Sequence, residues 1–233
     1  DSVILAPRSS DFITYRILEN ASKYIPFMPD FSAESFNVKI LNINMITQFM
    51  TYISTSFAFA ILFSLPYIIY EIWRFVSPAL YENEIKGVKK AFGFGGIMFV
   101  IGCLVGYFIV FPLIFRFLIT FELSAAIENM ISLDSYMSNF YTLILIMGVV
   151  FELPLLCWLL SNLGLIYRSF FKKYRRHAIV GALILAALIT PSGDPFSLFV
   201  VTIPLYLLWE ISALVVKKDP VEETDETLPS VFE

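Results

Sequence analysis

The chain has 233 residues, of which 58% are hydrophobic and 15% are charged. A soluble domain has roughly 45–50% apolar and about 25% charged residues, so this composition excludes an ordinary soluble protein and favours a membrane protein. The net charge of −4 says little about partners, because many of the acidic residues lie in the last fifteen positions. The acidic residues concerned are Asp219, Glu222, Glu223, Asp225, Glu226 and Glu233. The remainder is slightly basic, and no nucleic-acid-binding surface is implied.

The first three uncharged runs predict membrane-spanning helices. Residues 1–45 mix aromatic residues and prolines with charges, which indicates a folded segment outside the membrane. The apolar part of the first uncharged run covers about 46–70, the second run covers 91–115, and the third covers 135–167 with Glu152 as its one charge. A helical crossing needs ~20 apolar residues, and each run is long enough.

Two further uncharged runs, 178–193 and 195–209, are separated by Asp194 and end at Glu210. At ~1.5 Å per residue, each run is only ~24 Å long, less than the ~30 Å of a bilayer core. Prolines 191 and 195 predict a turn between them, and the basic residues at both outer ends predict a hairpin. The sequence therefore predicts an all-α, polytopic transmembrane bundle of five spans over 46–216, the last two short, with a disordered acidic tail over 217–233.

The basic residues also predict the orientation. They concentrate in two connections, 71–90 and 164–177, whereas 116–134 has only Arg116. The residues in the two basic connections are Arg74, Lys86, Lys89, Lys90, Arg168, Lys172, Lys173, Arg175 and Arg176. Basic loops face the cytoplasm, so five spans with a cytoplasmic C-terminus leave 1–45 outside. Because 1–45 contains no signal peptide, we expect a further hydrophobic element upstream of Asp1.

Glu152 is the most informative single residue, because it lies close to the middle of the third run and hence near mid-depth. A carboxylate there costs several kcal/mol unless it is protonated, paired or facing a polar cavity. Two interpretations are open at this point. Glu152 is either a functional intramembrane site or a hydrogen-bonding residue that only holds helices together.

Other kinds of site are not supported by the residue pattern. Cys103 and Cys157 lie in apolar runs, and His177 has no second ligand at metal-binding spacing, so no metal or cofactor is predicted. No Gly-x-x-x-x-Gly-Lys loop for nucleotides is present. Neither His177, at the membrane edge, nor Asp194, in the turn, is placed to act with Glu152 as a hydrolase pair. The glycines of the second run, Gly93, Gly95, Gly96, Gly102 and Gly106, predict close helix packing.

Several motifs in order resemble the TatC family, the receptor subunit of the twin-arginine protein translocase. The first is the string Pro66…Trp73-x-Phe75-x-x-Pro78-Ala79-Leu80-Tyr81-x-x-Glu84. The others are Tyr107-Phe108 with Pro112, Phe151-Glu152-Leu153-Pro154, Lys173-Tyr174-Arg175-Arg176, Thr190-Pro191 with Asp194, and Ile203-Pro204-Leu205 before Glu210-Ile211. The resemblance covers about 42–216. The turn Pro191-Ser192-Gly193-Asp194 has one residue more than is common in the family, and Leu198 replaces a frequent glutamine.

The resemblance implies six spans in the whole protein, with both termini in the cytoplasm of a bacterial cell and the chain in its cytoplasmic membrane. It implies a binder and organiser, not an enzyme, that recognises Arg-Arg signal peptides of folded proteins. It also implies TatA- and TatB-like single-span partners, homo-oligomers within a hetero-complex, and transport driven by the proton-motive force. Glu84 matches the signal-binding acid, Phe75 a nearby recognition residue, and Glu82 is a possible auxiliary. A polar partner contact is assigned to Glu152, Thr190, Pro191, Asp194 and Glu210.

One alternative function comes from Glu152 itself. A proton-coupled small-molecule transporter would also hold an intramembrane carboxylate. Such folds usually show paired structural repeats, and the run lengths in this chain show no pairing. The resemblance and the run lengths together favour the protein translocase.

Overall fold

The computed structural model describes residues 4–8, 12–15, 40–42, 45–76, 82–121, 130–190 and 192–219. These residues form a helical bundle, which confirms the predicted fold class. The long helices are α1 (Thr47–Val76) and α2 (Glu82–Val105), then a π-helical segment (Gly106–Val110) that leads into α3 (Phe111–Thr120). They are followed by α4 (Leu133–Val150), α5 (Leu153–Asn162), α6 (Arg168–Lys173), α7 (Arg175–Ile189) and α8 (Pro195–Val215). Two short strands, β1 (Ile40–Leu41) and β2 (Ile131–Ser132), pair in parallel.

Four segments of the described part are long and apolar enough to cross a membrane. They are Thr47–Ile72, Gly93–Thr120, Leu133–Asn162 and Pro195–Val215. The remaining predicted span corresponds to α7, which has 15 residues. The expectation that the last two spans are both short was wrong for α8, which has 21 residues. The uncharged run ends at Glu210 but the helix does not, since glutamate is a good helix former and its carboxylate accepts hydrogen bonds from Arg175 and Tyr206.

Glycines fix the packing of α2 against α4 and α5. A Cβ atom at Gly102 would lie 2.7 Å from the carbonyl oxygen of Met147, and one at Gly106 would lie 3.1 Å from the Cα of Ile144. Gly148 has the same role on α4, since a Cβ atom there would lie 2.6 Å from the ring of Phe99 on α2. The residue numbers rise on α2 as they fall on α4, so the two helices run antiparallel. The predicted close packing is confirmed for Gly102 and Gly106 and was wrong for Gly93 and Gly96, where a Cβ atom would meet nothing within 4 Å in the described part of the chain.

A proline causes the irregularity between α2 and α3. Pro112 has no N–H to donate to the carbonyl of Phe108, four residues earlier. The helix widens there, and the N–H of Phe111 bonds to the carbonyl of Gly106. The N-terminal part of the chain compensates: Thr14 Oγ1 donates to the Phe108 carbonyl, and the Tyr15 hydroxyl donates to the Pro112 carbonyl over 3.1 Å.

The bundle has two distinct ends. At one end, the N–H of Arg168 donates to the carbonyl of Lys217, and the N–H of Lys217 donates to Ser161 Oγ. The end of α5, α6, the start of α7 and the end of α8 therefore meet there, and we call it the basic end. At the opposite end, the rings of Phe117 and Phe196 stack with centroids 4.5 Å apart, beside the turn between α7 and α8.

Candidate functional site

Glu152 lies at a break in the helix formed by α4 and α5. Pro154, in the first turn of α5, cannot donate a backbone hydrogen bond to the preceding turn, so the helix is interrupted just before it. The N–H of Glu152 bonds instead to the carbonyl of Val149 at 3.1 Å. The sequence Phe151-Glu152-Leu153-Pro154 thus places a carboxylate at a kink between two transmembrane helix segments.

The carboxyl group of Glu152 is buried against the glycine face of α2. The residue is 8% exposed, and within the described part of the chain neither Oε1 nor Oε2 has a hydrogen-bond partner. A Cβ atom at Gly95 would lie 2.9 Å from Oε2 and 2.5 Å from Leu155 Cδ2. Gly95 therefore provides the space that the carboxyl group occupies. Sequence reasoning placed Gly95 among the helix-packing glycines and missed this pairing, because the register of α2 on α5 is not visible in one sequence.

The register also revises the depth of Glu152. The residue lies opposite Gly95, which follows Lys90 by about 7.5 Å along the helix axis, and it precedes Asn162 by ~15 Å. Along the segment Leu133–Asn162 it therefore lies nearer the basic end than the midpoint of that segment. The reason is that the uncharged run 135–167 continues beyond the end of α5 at Asn162, so its midpoint is not the midpoint of the helix.

The surface beside Glu152 is open and apolar. On α2, Gly96 lies about 100° around the helix from Gly95, and a Cβ atom at Gly96 would meet no other atom within 4 Å. On α5, Leu153 is 37% exposed and Leu156 is 51% exposed. Small residues let a neighbouring helix approach closely, so this face of the bundle has the shape and polarity for a single membrane helix.

The other residues assigned to the polar partner contact are spread along α7 and α8. Thr190 is buried and its Oγ1 donates to the carbonyl of Ala186. Pro191 lies outside the described residues. Asp194 is the N-cap of α8 and accepts a hydrogen bond from the N–H of Ser197 at 2.8 Å. Glu210 lies towards the basic end of α8, where Arg175 Nη2 donates to it at 2.5 Å and the Tyr206 hydroxyl at 2.9 Å. In the described part of the chain, no hydrogen bond or ion pair links Thr190, Asp194 or Glu210 to Glu152.

Hydrogen bonds lower the pKa of Asp194. Partial burial acts to raise its pKa, but hydrogen bonds from Ser192 and Ser197 outweigh this and hold the pKa below its ordinary value. The carboxylate form therefore caps α8 at neutral pH, as is usual for an aspartate at a helix N-terminus.

The residues assigned to signal-peptide binding lie at the junction of α1 and α2. Phe75, in the last turn of α1, is 85% exposed. Glu82 is the first residue of α2, and Glu84 lies in its first turn. The side chains of both residues are outside the described part of the chain. Because α2 runs antiparallel to α4 and α5, the start of α2 is at the basic end. A large exposed aromatic side chain and two glutamates are thus brought to the end of the bundle that carries the basic loops.

Metal binding has no support in the part of the chain that the structure describes, where no three histidine, cysteine or acidic side chains come together. Cys103 and Cys157 are both free thiols.

Comparison with known proteins identifies the family. The family described as Sec-independent protein translocase protein (TatC) matches residues 3–204. A TatC protein of Blattabacterium is 38% identical over 213 residues, covering 91% of this chain and 80% of that protein. A TatC protein of Helicobacter pylori is 39% identical over 188 residues, covering 81% of this chain and 74% of that protein.

Two solved structures that resemble this chain are also TatC proteins. A crystal structure of the twin-arginine translocase receptor TatC is 28% identical, with a TM-score of 0.67 over 86% of this chain and 84% of that one. A second one, in DDM, is 27% identical, with a TM-score of 0.69 over 93% of this chain and 95% of that one. These matches do not favour the small-molecule transporter. The chain belongs to the TatC family of Sec-independent protein translocase components, which are multi-span membrane proteins.

Proposed function

We infer that this protein is a receptor and organiser of a twin-arginine export system, not an enzyme. It binds Arg-Arg signal peptides of folded proteins at its cytoplasmic face and docks TatA- or TatB-like single-span proteins within the membrane. The proton-motive force then drives translocation. The observation that carries this proposal is the buried carboxyl group of Glu152, which has no partner among the described residues and lies beside an open helix-binding face.

The basic end of the bundle supports the orientation. Positively charged loops stay on the cytoplasmic side of the bacterial inner membrane, and the 164–177 connection and the end of α8 meet there. The start of α2, with Glu82 and Glu84, is at this same end. A carboxylate recognises guanidinium through paired, charge-assisted hydrogen bonds, so Glu84 is the residue proposed to bind the twin arginines. The exposed ring of Phe75 supplies an apolar contact beside it.

Glu152 is the proposed partner contact within the membrane. A protonated carboxyl group donates one hydrogen bond and accepts others, so it can pair with a polar side chain on a partner helix. Gly96 leaves room for that helix on α2, beside the Gly95 face that Glu152 contacts. Thr190, Pro191, Asp194 and Glu210 are proposed to contribute through the α7–α8 hairpin.

Export of a twin-arginine reporter by variants of the full-length protein tests this proposal. We expect Glu152→Gln to keep much of the activity, because an amide also donates and accepts hydrogen bonds. Glu152→Ala should lose both export and crosslinking of position 152 to the partner helix while the bundle stays folded, and Glu152→Lys should be worst. Wild-type export and crosslinking from Glu152→Ala would leave Glu152 with a packing role only.

A further inference from the structure

A second cleft, separate from Glu152, opens between α5, α7 and α8 at the basic end. Its volume is about 400 Å³, within the roughly 300–1,000 Å³ that is usual for ligand sites. Tyr174 and His177 line the part nearest the basic end. Gly181 and Leu185 continue the cleft along α7, and Leu185 lies about 16 Å along the helix axis from Tyr174. The walls are almost entirely apolar, with Leu153 and Cys157 of α5 on the opposite side.

Among the described residues, a cation without a carboxylate partner, Lys173, lies beside the mouth of the cleft, whereas Arg176 is on the face of α7 opposite Ala178 and Leu185. Arg175 is paired with Glu210, whereas neither Lys173 nor Arg176 has a carboxylate within ion-pair distance in the described part of the chain. Lys173 Nζ lies 5.7 Å from the ring centroid of Tyr174, a residue of the cleft wall. The first turn of α7 holds no acidic residue, and Glu210 balances the charge of Arg175, so Lys173 leaves the mouth of the cleft with a net positive charge.

We propose that this cleft binds one anionic phospholipid, with an acyl chain between α5, α7 and α8 and the phosphate at Lys173. The site is polar and positive at the membrane surface and apolar below it, which matches the distribution of charge in such a lipid. A transmembrane helix is a poorer fit. A helix is ~10–12 Å across with its side chains and rises 5.4 Å per turn, so roughly one turn would occupy the whole cleft. An unbranched acyl chain is thinner and can extend along the length of the cleft.

Gly181 allows a test that changes no charge. It lines the cleft, and a Cβ atom at this position meets nothing within 4 Å. Gly181→Leu should therefore fill the cleft without displacing the backbone. Gly96→Leu is the matched control, because Gly96 also has open space around a Cβ atom but is not part of the cleft wall.

The full-length protein is purified from nanodiscs of mixed phosphatidylglycerol and phosphatidylcholine, and retained lipid is counted by native mass spectrometry. We expect the parent and Gly96→Leu to retain one phosphatidylglycerol per chain and Gly181→Leu to retain none. Attraction to one basic side chain corresponds to roughly a fivefold change in affinity, so Lys173→Gln should weaken retention about fivefold. Arg176→Gln and Lys218→Gln, which each remove one charge at the same end but outside the cleft, should not.

Four results would overturn the proposal. They are unchanged retention by Gly181→Leu, equal retention of phosphatidylcholine by the parent, displacement of the lipid by inorganic phosphate alone, and crosslinking of Gly181→Cys to a protein in place of lipid. The third would identify the ligand as a free anion, and the fourth would identify it as a partner helix.

Discussion

Arg175, at the start of α7, donates a hydrogen bond of 2.5 Å to Glu210, three-quarters of the way along α8. This pair gives the one acidic side chain within α8 a cationic partner. It also joins the two helices of the hairpin at the basic end, whereas Asp194 orders the turn at the other end. The hairpin is therefore fixed by polar contacts at both ends and by apolar packing between them.

Exchange of the two charges tests the role of this pair. The side chains are 60% and 28% exposed, so solvent screens them and loss of either charge should cost only ~0.2–1 kcal/mol. Glu210→Lys should cost more, because it places a second cation beside Arg175. Arg175→Glu combined with Glu210→Arg should recover much of the loss, as a double-mutant cycle of thermal unfolding in detergent would show. Lys218→Gln serves as the neutral control; equal effects of all variants would argue against the pair.

Gly95 should be intolerant of a side chain because of Glu152. In Gly95→Ala, the new Cβ atom would lie 2.5 Å from Leu155 Cδ2 and 2.9 Å from Glu152 Oε2, so both side chains must move. We expect lower thermal stability and weaker crosslinking of position 152 to the partner helix. Gly96→Ala, which meets open space, should be neutral or slightly stabilising, since alanine favours helix by up to ~1 kcal/mol. If both variants behaved alike, the close contact of Gly95 with the carboxyl group would be disproved.

Glu84 should control the affinity for signal peptides. In the full-length protein, Glu84→Gln should weaken binding of an Arg-Arg peptide about ten- to a hundredfold, because a charge-assisted hydrogen bond is typically worth ~1.5–3 kcal/mol. Glu84→Asp should keep part of the affinity, and added salt should weaken binding to the parent because the site is at a wet surface. Fluorescence anisotropy of a labelled peptide measures these effects, with Glu82→Gln as the neighbouring control. Tight, salt-independent binding by Glu84→Gln would move the signal site elsewhere.

Asp194 should make the hairpin sensitive to acid. Its folded-state pKa is lowered, so its stabilising effect is complete above the unfolded value of ~3.9 and is lost as the pH falls through the folded-state pKa. Thermal unfolding in detergent should therefore show constant stability from neutral pH down to about pH 4 and a decrease below it. Asp194→Ala should lose ~0.5–2 kcal/mol at neutral pH, whereas Asp194→Asn should keep the cap and reduce the acid sensitivity. An unchanged acid profile for Asp194→Asn would assign that sensitivity to other groups.

The sequence predicted the all-α bundle and the break between α7 and α8, because these depend on local composition and on prolines. It did not predict the length of α8, since the uncharged run ends at Glu210 whereas the helix continues to Val215. Nor did it predict the contact between Gly95 and Glu152, which depends on how two helices align. The widened helix before Pro112 was also missed, because its capping group, Thr14, is distant in sequence.

The glycine contacts between α2 and α4 have a mechanical consequence. With Gly102 against Met147 and Gly148 against Phe99, neither helix can slide or rotate past the other without steric overlap. These two helices therefore form a rigid frame, and in the described part of the chain α1 packs against it along the side that includes Thr51 and Ala58. Relative movement of helices is expected at α1 and not between α2 and α4.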